Sequence, residues 1–315
     1  MAIVKPAKLF EHAIQNHYGL AAFNVYSTES LLAVLEGAQA QGSAAIIQVS
    51  MGARKYVKHL SAFVKTIRAF AEQYTVPICI QHDHCLTVED CKTAINSGVQ
   101  AVMFDGSHTS YEENLSHTKE VVEYARKHDV WVEAELGCLP GFEDLVFSDS
   151  VKFTDPKIVS SFIAQSGCNA LAVAVGTSHG GVRSDGYLPL NFELLKEIIA
   201  AVPDYPFVLH GGASLPPELI EECNHQGGKV EFLRNCSEQD IRKAVDLGIK
   251  KVNMDVDNFL VFTTSVRRSL RERPAVYDPR KYLSAGTAAF QQEVEHKMKS
   301  VVSSSNQYKS SNSLL

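Results

Sequence analysis

A single (β/α)8 barrel of the TIM type with extra C-terminal helices is the fold that this 315-residue sequence predicts, on three observations. Short apolar runs rich in β-branched residues recur eight times, nearly continuous in hydrophobicity, as strands buried on both faces of a parallel sheet are. Helical patterns with recognisable caps separate them, so the repeating unit is strand, then helix. Polar residues gather at the C-terminal ends of the runs, where barrels of this kind carry their chemistry.

The runs are "LAAFN" (20–24), "AAIIQV" (44–49), "PICIQ" (77–81), "QAVMF" (100–104), "VWVEA" (130–134), "NALAV" (169–173), "PFVLH" (206–210) and "KKVNM" (250–254). Between them, "STESLLAVLEGAQAQG" opens on an N-cap with Glu29 in its first turn and stops at Gly42. "TVEDCKTAINSG" places Thr87 as cap with Asp90 three residues on and Gly98 as stop. "YEENLSHTKEVVEYARKHD" runs from acidic to basic, matching the helix dipole, and "DPKIVSSFIAQSG" sets Asp155 before a proline at the first helical position. Eight such units imply right-handed crossovers and closure into a barrel. An open doubly wound sheet is the less economical alternative, since no G-x-G-x-x-G follows the first run. No linker divides the chain, so one domain is expected over 1–302. Two further helices are expected, at about 258–271 and 279–300, and then a Ser/Asn-rich flexible tail over 303–315.

The bulk numbers exclude several classes. An apolar fraction of 45% with 21% charged residues is that of a globular protein with a sizeable core. A net charge of −6 argues against nucleic acid or an anionic membrane as partner, and no apolar run reaches the length of a membrane span. The N-terminus lacks a signal-peptide core and reads as a short helix. Seven cysteines without a C-x-x-C pair fit reduced thiols in a cytoplasmic protein.

The strand ends carry the functional signal. Asn24 ends the first run and Ser50 the second; Asp83 and His84 follow the third; Asp105 follows the fourth, in "MFDGSH". Glu135 follows the fifth, His179 the sixth in "GTSHGG", His210 closes the seventh in "LHGG", and Asn253 with Asp255 ends the eighth in "VNMDVD". Catalytic zinc favours three imidazoles from distant parts of a chain and one open position. His84, His179 and His210 all fall on one mouth, the latter two beside glycines, Gly180 and Gly211, that let a ligand approach the backbone. Twelve histidines are present, and most histidines are surface or packing residues; His12, His17, His59, His117, His128, His225 and His296 fall in or beside helical segments and receive no role.

With these motifs in order, the sequence resembles the class II, metal-dependent ketose-bisphosphate aldolases. The resemblance runs from "AFNV" through "QVSMGA", "DH", "FDGSH", "EAELG", "GFED", "GTSHG", "HGGAS" and "KVNMDVD" to "DPRKYL". It implies that His84, His179 and His210 are the ligands of a catalytic zinc. Asp83 is then the carboxylate that carries the proton of the hydroxyl beside the breaking bond. Asp105 and Glu135 match acidic positions that in some members hold a second ion, and Glu143 matches an acid on a mobile loop that moves a proton at the enolising carbon. Asn24, Ser50, Gly180, Arg183, Gly211, Ser214, Asn253 and Asp255 are the expected substrate contacts, with a monovalent cation near the substrate phosphate and a homodimer or homotetramer as the assembly. Zinc as a Lewis acid and a carboxylate base suffice for retro-aldol cleavage. No Schiff-base lysine is required, and Lys250 and Lys251 lie within the eighth run, before its functional end.

The sequence departs from the family where small hydroxyl residues usually meet substrate phosphate. Ala213, followed by Ser214, stands at one such place and Val256 at the other, while "HGGVRSDG" puts Val182 and Arg183 where the family commonly has Tyr-Lys. Backbone N–H groups of 211–214 and 255–257 could still cradle a phosphate; otherwise the substrate lacks one or both phosphates. A metal-dependent hydrolase and a non-catalytic relative are the competing classes. In "HDH" the resemblance puts an apolar residue at 82, so His82 is expected to pack against or tune Asp83 and not to bind zinc.

Overall fold

The computed structural model describes residues 3–143, 146–148, 152–181, 188–231 and 235–308, with the backbone alone at 142–143 and 146–148. Eight parallel strands close into a barrel: β1 (Leu20–Asn24), β2 (Ala45–Val49), β3 (Ile78–Cys85), β4 (Ala101–Phe104), β5 (Trp131–Leu136), then, after a small antiparallel hairpin of β6 (Gly141–Glu143) and β7 (Val146–Ser148), β8 (Ala170–Val173), β9 (Phe207–Leu209) and β10 (Ile249–Met254). Each barrel strand pairs with its sequence neighbour among the eight, and β10 returns to β1 with Leu20 opposite Lys251 and Ala22 opposite Asn253. The predicted barrel is the observed one. The hairpin was not predicted, because three-residue strands carry no periodic signal.

Twelve helices accompany these strands among the described residues: α1 (Pro6–Gln15), α2 (Thr28–Gln41), α3 (Met51–Val57), α4 (Leu60–Ala71), α5 (Val88–Asn96), α6 (Tyr111–Lys127), α7 (Pro156–Ser166), α8 (Phe192–Ala201), α9 (Pro217–His225), α10 (Glu238–Leu247), α11 (Val256–Glu272) and α12 (Pro279–His296), the last running into a π turn over Lys297–Val301. Two caps are those read from the sequence, Thr87 accepting from Asp90 N on α5 and Asp155 capping α7 ahead of Pro156, while on α6 the structure adds a reciprocal capping box between Ser110 and Glu113. On α2 the box is made by Ser27 with Ser30 rather than by Glu29.

The strands are apolar on both faces for two different reasons. Outward residues such as Phe23, Ile47, Ile80, Phe104, Leu171 and Val252 pack beneath the helices in one cluster with Leu31, Leu35, Val121 and Phe162. Inward residues at the N-terminal end, Leu20, Ala22, Ile46, Cys79, Ala101, Ala172 and Val208, form a second cluster that α1 plugs with Leu9, Phe10 and Ala13, and Phe10 stacks on Trp131 at 5.3 Å. Higher in the barrel the inward positions become polar and stay buried: Gln48, Gln81, Glu133, Lys251 and His210. That change from apolar floor to polar mouth positions the site.

The chain does not fray at Val302. Asn306 and Tyr308 donate backbone N–H groups to Gln41 O (2.7 Å) and Gly42 O (2.8 Å), Ser304 is buried, and the Tyr308 hydroxyl meets Tyr18 Oη at 3.0 Å. A Ser/Asn-rich composition reads as tail, yet here its backbone N–H groups satisfy carbonyls at the end of α2 and one tyrosine hydroxyl reaches the barrel floor. Residues 309–315 lie outside the described residues. No helix among the described residues is long and apolar enough to cross a membrane, and all seven cysteines are buried free thiols.

Candidate active site and metal centre

His84, Glu135, His179 and His210, all buried, converge at the C-terminal mouth with ligand-capable atoms all within 4.8 Å of one another. The imidazole centroids stand 5.1 Å (His84–His179), 4.7 Å (His84–His210) and 6.1 Å (His179–His210) apart.

Backbone geometry explains how neighbours on one strand share this mouth. Side chains of an extended strand alternate: Gln81 points inward to Glu133, whereas His82 points outward, its Nδ1 3.2 Å from Cys85 Sγ. Asp83 turns inward again and accepts from Asn253 Nδ2 at 3.1 Å. Alternation would then send His84 away, but His84 has φ +45°, and the pairing register with β4 slips between His82 and Cys85. This local break in β3 brings both Asp83 and His84 to the mouth. Strand three therefore runs through "HDH" to Cys85 and does not stop at Gln81.

Two carboxylates back the imidazoles. His84 Nδ1 lies 3.1 Å from Asp105 Oδ2, while Asp105 Oδ1 accepts from the Ser107 N–H (3.0 Å) and hydroxyl (2.6 Å). Burial alone would raise the Asp105 pKa, but His84 and Ser107 hold it well below the usual carboxylate range. His210 Nε2 lies 2.9 Å from Glu133 Oε1. Burial opposes a charge on His210, yet Glu133 and Glu135 outweigh it and raise its pKa to about 9. The acids collect around His210 as they would around a cation, and a divalent ion at this imidazole would displace its proton. Glu135 Oε2 and His210 Nδ1 lie 3.2 Å apart without the alignment of a hydrogen bond. That spacing is close to the ~3.3 Å edge of a tetrahedron whose corners stand about 2.0 Å from a zinc ion. The residues thus fit a divalent metal, with Glu135 in the group and Asp105 behind His84.

Backbone contacts hold the histidine loops. Gly141 (φ +106°) pairs with His179, whose N–H donates to Pro140 O at 2.9 Å; any Cβ on Gly141 would strike the His179 carbonyl. Gly211 (φ +63°) likewise lies against the Ser178 carbonyl, which a Cβ would strike. Asn235, fully buried, joins the two loops: its Nδ2 donates to Ser178 O (2.7 Å) and Gly211 O (2.8 Å), and its Oδ1 accepts from Ser178 N (3.1 Å).

The predicted substrate contacts divide into two groups. Asn24 and Asp255 face each other across the mouth (Nδ2 to Oδ2, 3.5 Å), with Asn253 beside Asp83, and Gly180 follows His179 with φ +67°. Ser50 caps α3 through Ala53 N, and the Ser214 N–H and hydroxyl both point to Asp257 Oδ2 (3.0 and 3.4 Å), which Lys297 also holds. The backbone of Glu143 lies in β6, two residues from the Gly141 contact with His179; its side chain and all of Arg183 lie outside the described residues. Glu133, Lys251 and Asn235 were missed. The first two left a signal, since an acid two residues before Glu135 and a lysine two before Asn253 share the inward face of apolar strands. Asn235 left none.

A closed parallel barrel with a buried His/Glu cluster and an adjacent aspartate at its C-terminal mouth defines a metal-dependent barrel enzyme. Residues 4–307 match the family model for class II fructose-bisphosphate aldolase. A fructose-bisphosphate aldolase of Treponema pallidum is 35% identical over 324 residues (96% of this chain, 97% of that one), and one of Thermus caldophilus is 37% identical over 298 (94% and 97%). The crystal structure of the YdjI aldolase of Escherichia coli K12 aligns with a TM-score of 0.75 at 26% identity, covering 98% of this chain and all of that one. This chain belongs to the class II fructose-bisphosphate aldolase family, whose metal-dependent lyases work by retro-aldol chemistry.

Proposed function

We propose that His84, Glu135, His179 and His210 hold a zinc ion and that the enzyme reversibly cleaves a ketose phosphate into a dihydroxyacetone-type fragment and an aldehyde. The four-residue cluster with Asp83 beside it carries this reading. Zinc bound there would act as a Lewis acid on the ketose carbonyl, which must accept the electron pair of the breaking carbon–carbon bond. Asp83 takes the proton of the hydroxyl next to that bond, and Asn253 aims its carboxylate. Glu143, on the loop tied to His179 through Gly141, moves the proton at the enolising carbon. Asn24 and Asp255 receive substrate hydroxyls at the rim. Removing a general base typically costs 10²–10⁴-fold, so Asp83→Ala should keep its zinc by elemental analysis and lose that much cleavage. Normal turnover in the variant would refute the role.

A specific observation favours a substrate that lacks one phosphate. Three of the backbone N–H groups that could cradle it are already engaged: Gly212 with Asn253 O (2.9 Å), Ser214 with Asp257 (3.0 Å) and Val256 with Asp255 Oδ1 (2.7 Å). Ala213 packs with Leu215, Ile220 and Leu260 in an apolar cluster that Val256 borders. A lost charge-assisted bond costs about 1.5–3 kcal/mol, and two would redirect specificity. Cleavage of fructose 1,6-bisphosphate, tagatose 1,6-bisphosphate, ketose 1-phosphates and unphosphorylated ketoses decides it. Efficient bisphosphate turnover with an ordinary KM would exclude the altered substrate. The reading carries with it a cytoplasmic homodimer or homotetramer, supported by the buried free thiols and by Tyr277, 93% exposed between α11 and α12.

A further inference from the structure

Beneath the mouth, a charged pair is sealed inside the barrel. Lys251 is 0% and Glu133 1% exposed, and Lys251 Nζ meets both carboxylate oxygens, at 2.9 and 2.6 Å. The same carboxylate accepts from Gln81 Nε2 at 3.2 Å and lies 2.9 Å from His210 Nε2. A carboxylate has about four lone-pair sites, and these four contacts use them. Asp83, Glu133 and His210 also form a compact group of the kind that can take an ion. Its cation is the chain's own, because the Lys251 ammonium already sits on Glu133.

Stability alone does not account for such a pair. Desolvating two charges in a barrel interior offsets their attraction, and well-packed apolar residues of similar volume are often as stabilising or more so. What apolar residues could not supply is an acceptor fixed against His210 Nε2. An imidazole whose Nε2 carries the proton leaves Nδ1 as its basic nitrogen, and Nδ1 is the atom that faces Glu135 Oε2 at 3.2 Å. Asp105 does the same for His84 from the other ring nitrogen, by way of Nδ1.

We propose that Glu133, clamped by Lys251 and Gln81, is a positioning residue that fixes His210 with its proton on Nε2 and so turns Nδ1 toward the metal. This rests on the metal centre proposed above. The test is zinc affinity by chelator competition for the wild-type protein and two variants that each remove both charges. Glu133→Gln with Lys251→Met keeps an acceptor for Nε2 and should bind zinc within about threefold of wild type. Glu133→Leu with Lys251→Met has none and should bind 10- to 100-fold more weakly, the usual effect of losing such a partner, with its metal-free thermal midpoint no lower than that of the Gln/Met protein. Equal affinity in the Leu/Met variant, or equal losses in both, would overturn the positioning role while leaving the metal centre intact. A wild-type protein that binds no zinc would overturn both. Imidazole nitrogen NMR of the zinc-loaded wild type needs no variant to fold: a slowly exchanging proton on His210 Nε2 is expected, and one on Nδ1 refutes the proposal.

Discussion

His82 and Asn235 mark the two ways in which a single residue here differs from its appearance in the sequence. His82 stands in a run of three polar residues, yet its ring lies outside the barrel wall, fully buried, with Nδ1 near Cys85 and, among the described residues, no hydrogen-bond partner at Nε2. An unsatisfied buried nitrogen costs about 1–3 kcal/mol. His82→Leu should therefore keep its metal content and unfold at an equal or higher denaturant concentration; loss of metal would make His82 a site residue. Asn235 is the reverse, an inconspicuous amide that bonds Ser178 and Gly211, the residues next to His179 and His210. Asn235→Leu fills the same volume but strands these backbone groups, so the two histidine loops should separate. The expected result is zinc binding weakened at least about tenfold, within the range that follows loss of a supporting hydrogen bond at metal sites, measured by chelator competition alongside an unchanged far-UV spectrum.

At the scale of elements, the segments C-terminal to the barrel are tied to its mouth by a buried lysine. Lys297, 0% exposed where α12 passes into its π turn, meets Asp257 of α11 at 2.7 Å, Glu238 of α10 at 2.6 Å, Glu293 at 3.2 Å and the Ser214 hydroxyl at 3.4 Å. Removing one partner of a buried ion pair costs about 3–5 kcal/mol, because the other charges stay behind in low dielectric. Lys297→Met should lose stability of that order in urea unfolding; a loss below ~1 kcal/mol would mean that the cluster is hydrated. Helices α2, α5, α6 and α7 were readable from their caps and end charges, and the two C-terminal helices from the length of chain beyond the eighth strand. The extent of β3 was not, because Asp83 and His84 look like a polar loop until the positive φ of His84 is known.

The whole molecule responds to acid through the same cluster. Burial would raise the Glu238 pKa, but His296 and Lys297 lower it from 4.5 to about 2. A depressed carboxylate stabilises the fold fully above its unfolded value and loses that contribution as pH falls through the folded one. Glu238 in turn raises the pKa of His296 above its ordinary 6.5, so wild type should exceed Glu238→Gln in urea midpoint by a margin that grows as His296 takes up its proton toward pH 5 and then closes between 4.5 and 2; a pH-independent margin would exclude the linkage. Segments near both termini join this global architecture as well. The floor is sealed by α1 from one end and by Tyr308 against Tyr18 from the other, a contact across 290 positions that no local pattern announces.

The sequence by itself determined the barrel, its caps, the mouth on which the histidines gather and the family. Hydrophobic period, cap chemistry and strand-end position are local properties, written in consecutive residues. Tertiary structure alone decided which side each residue of "HDH" faces, that Ser214 turns to Asp257, that Asp105 backs His84 while Glu135 joins the metal group, and that Glu133 and Lys251 pair inside the barrel. Those outcomes depend on pairings between strands and loops tens to more than a hundred residues apart and on one left-handed backbone turn. Their energies come from desolvation and hydrogen-bond geometry, which exist only once the barrel has closed.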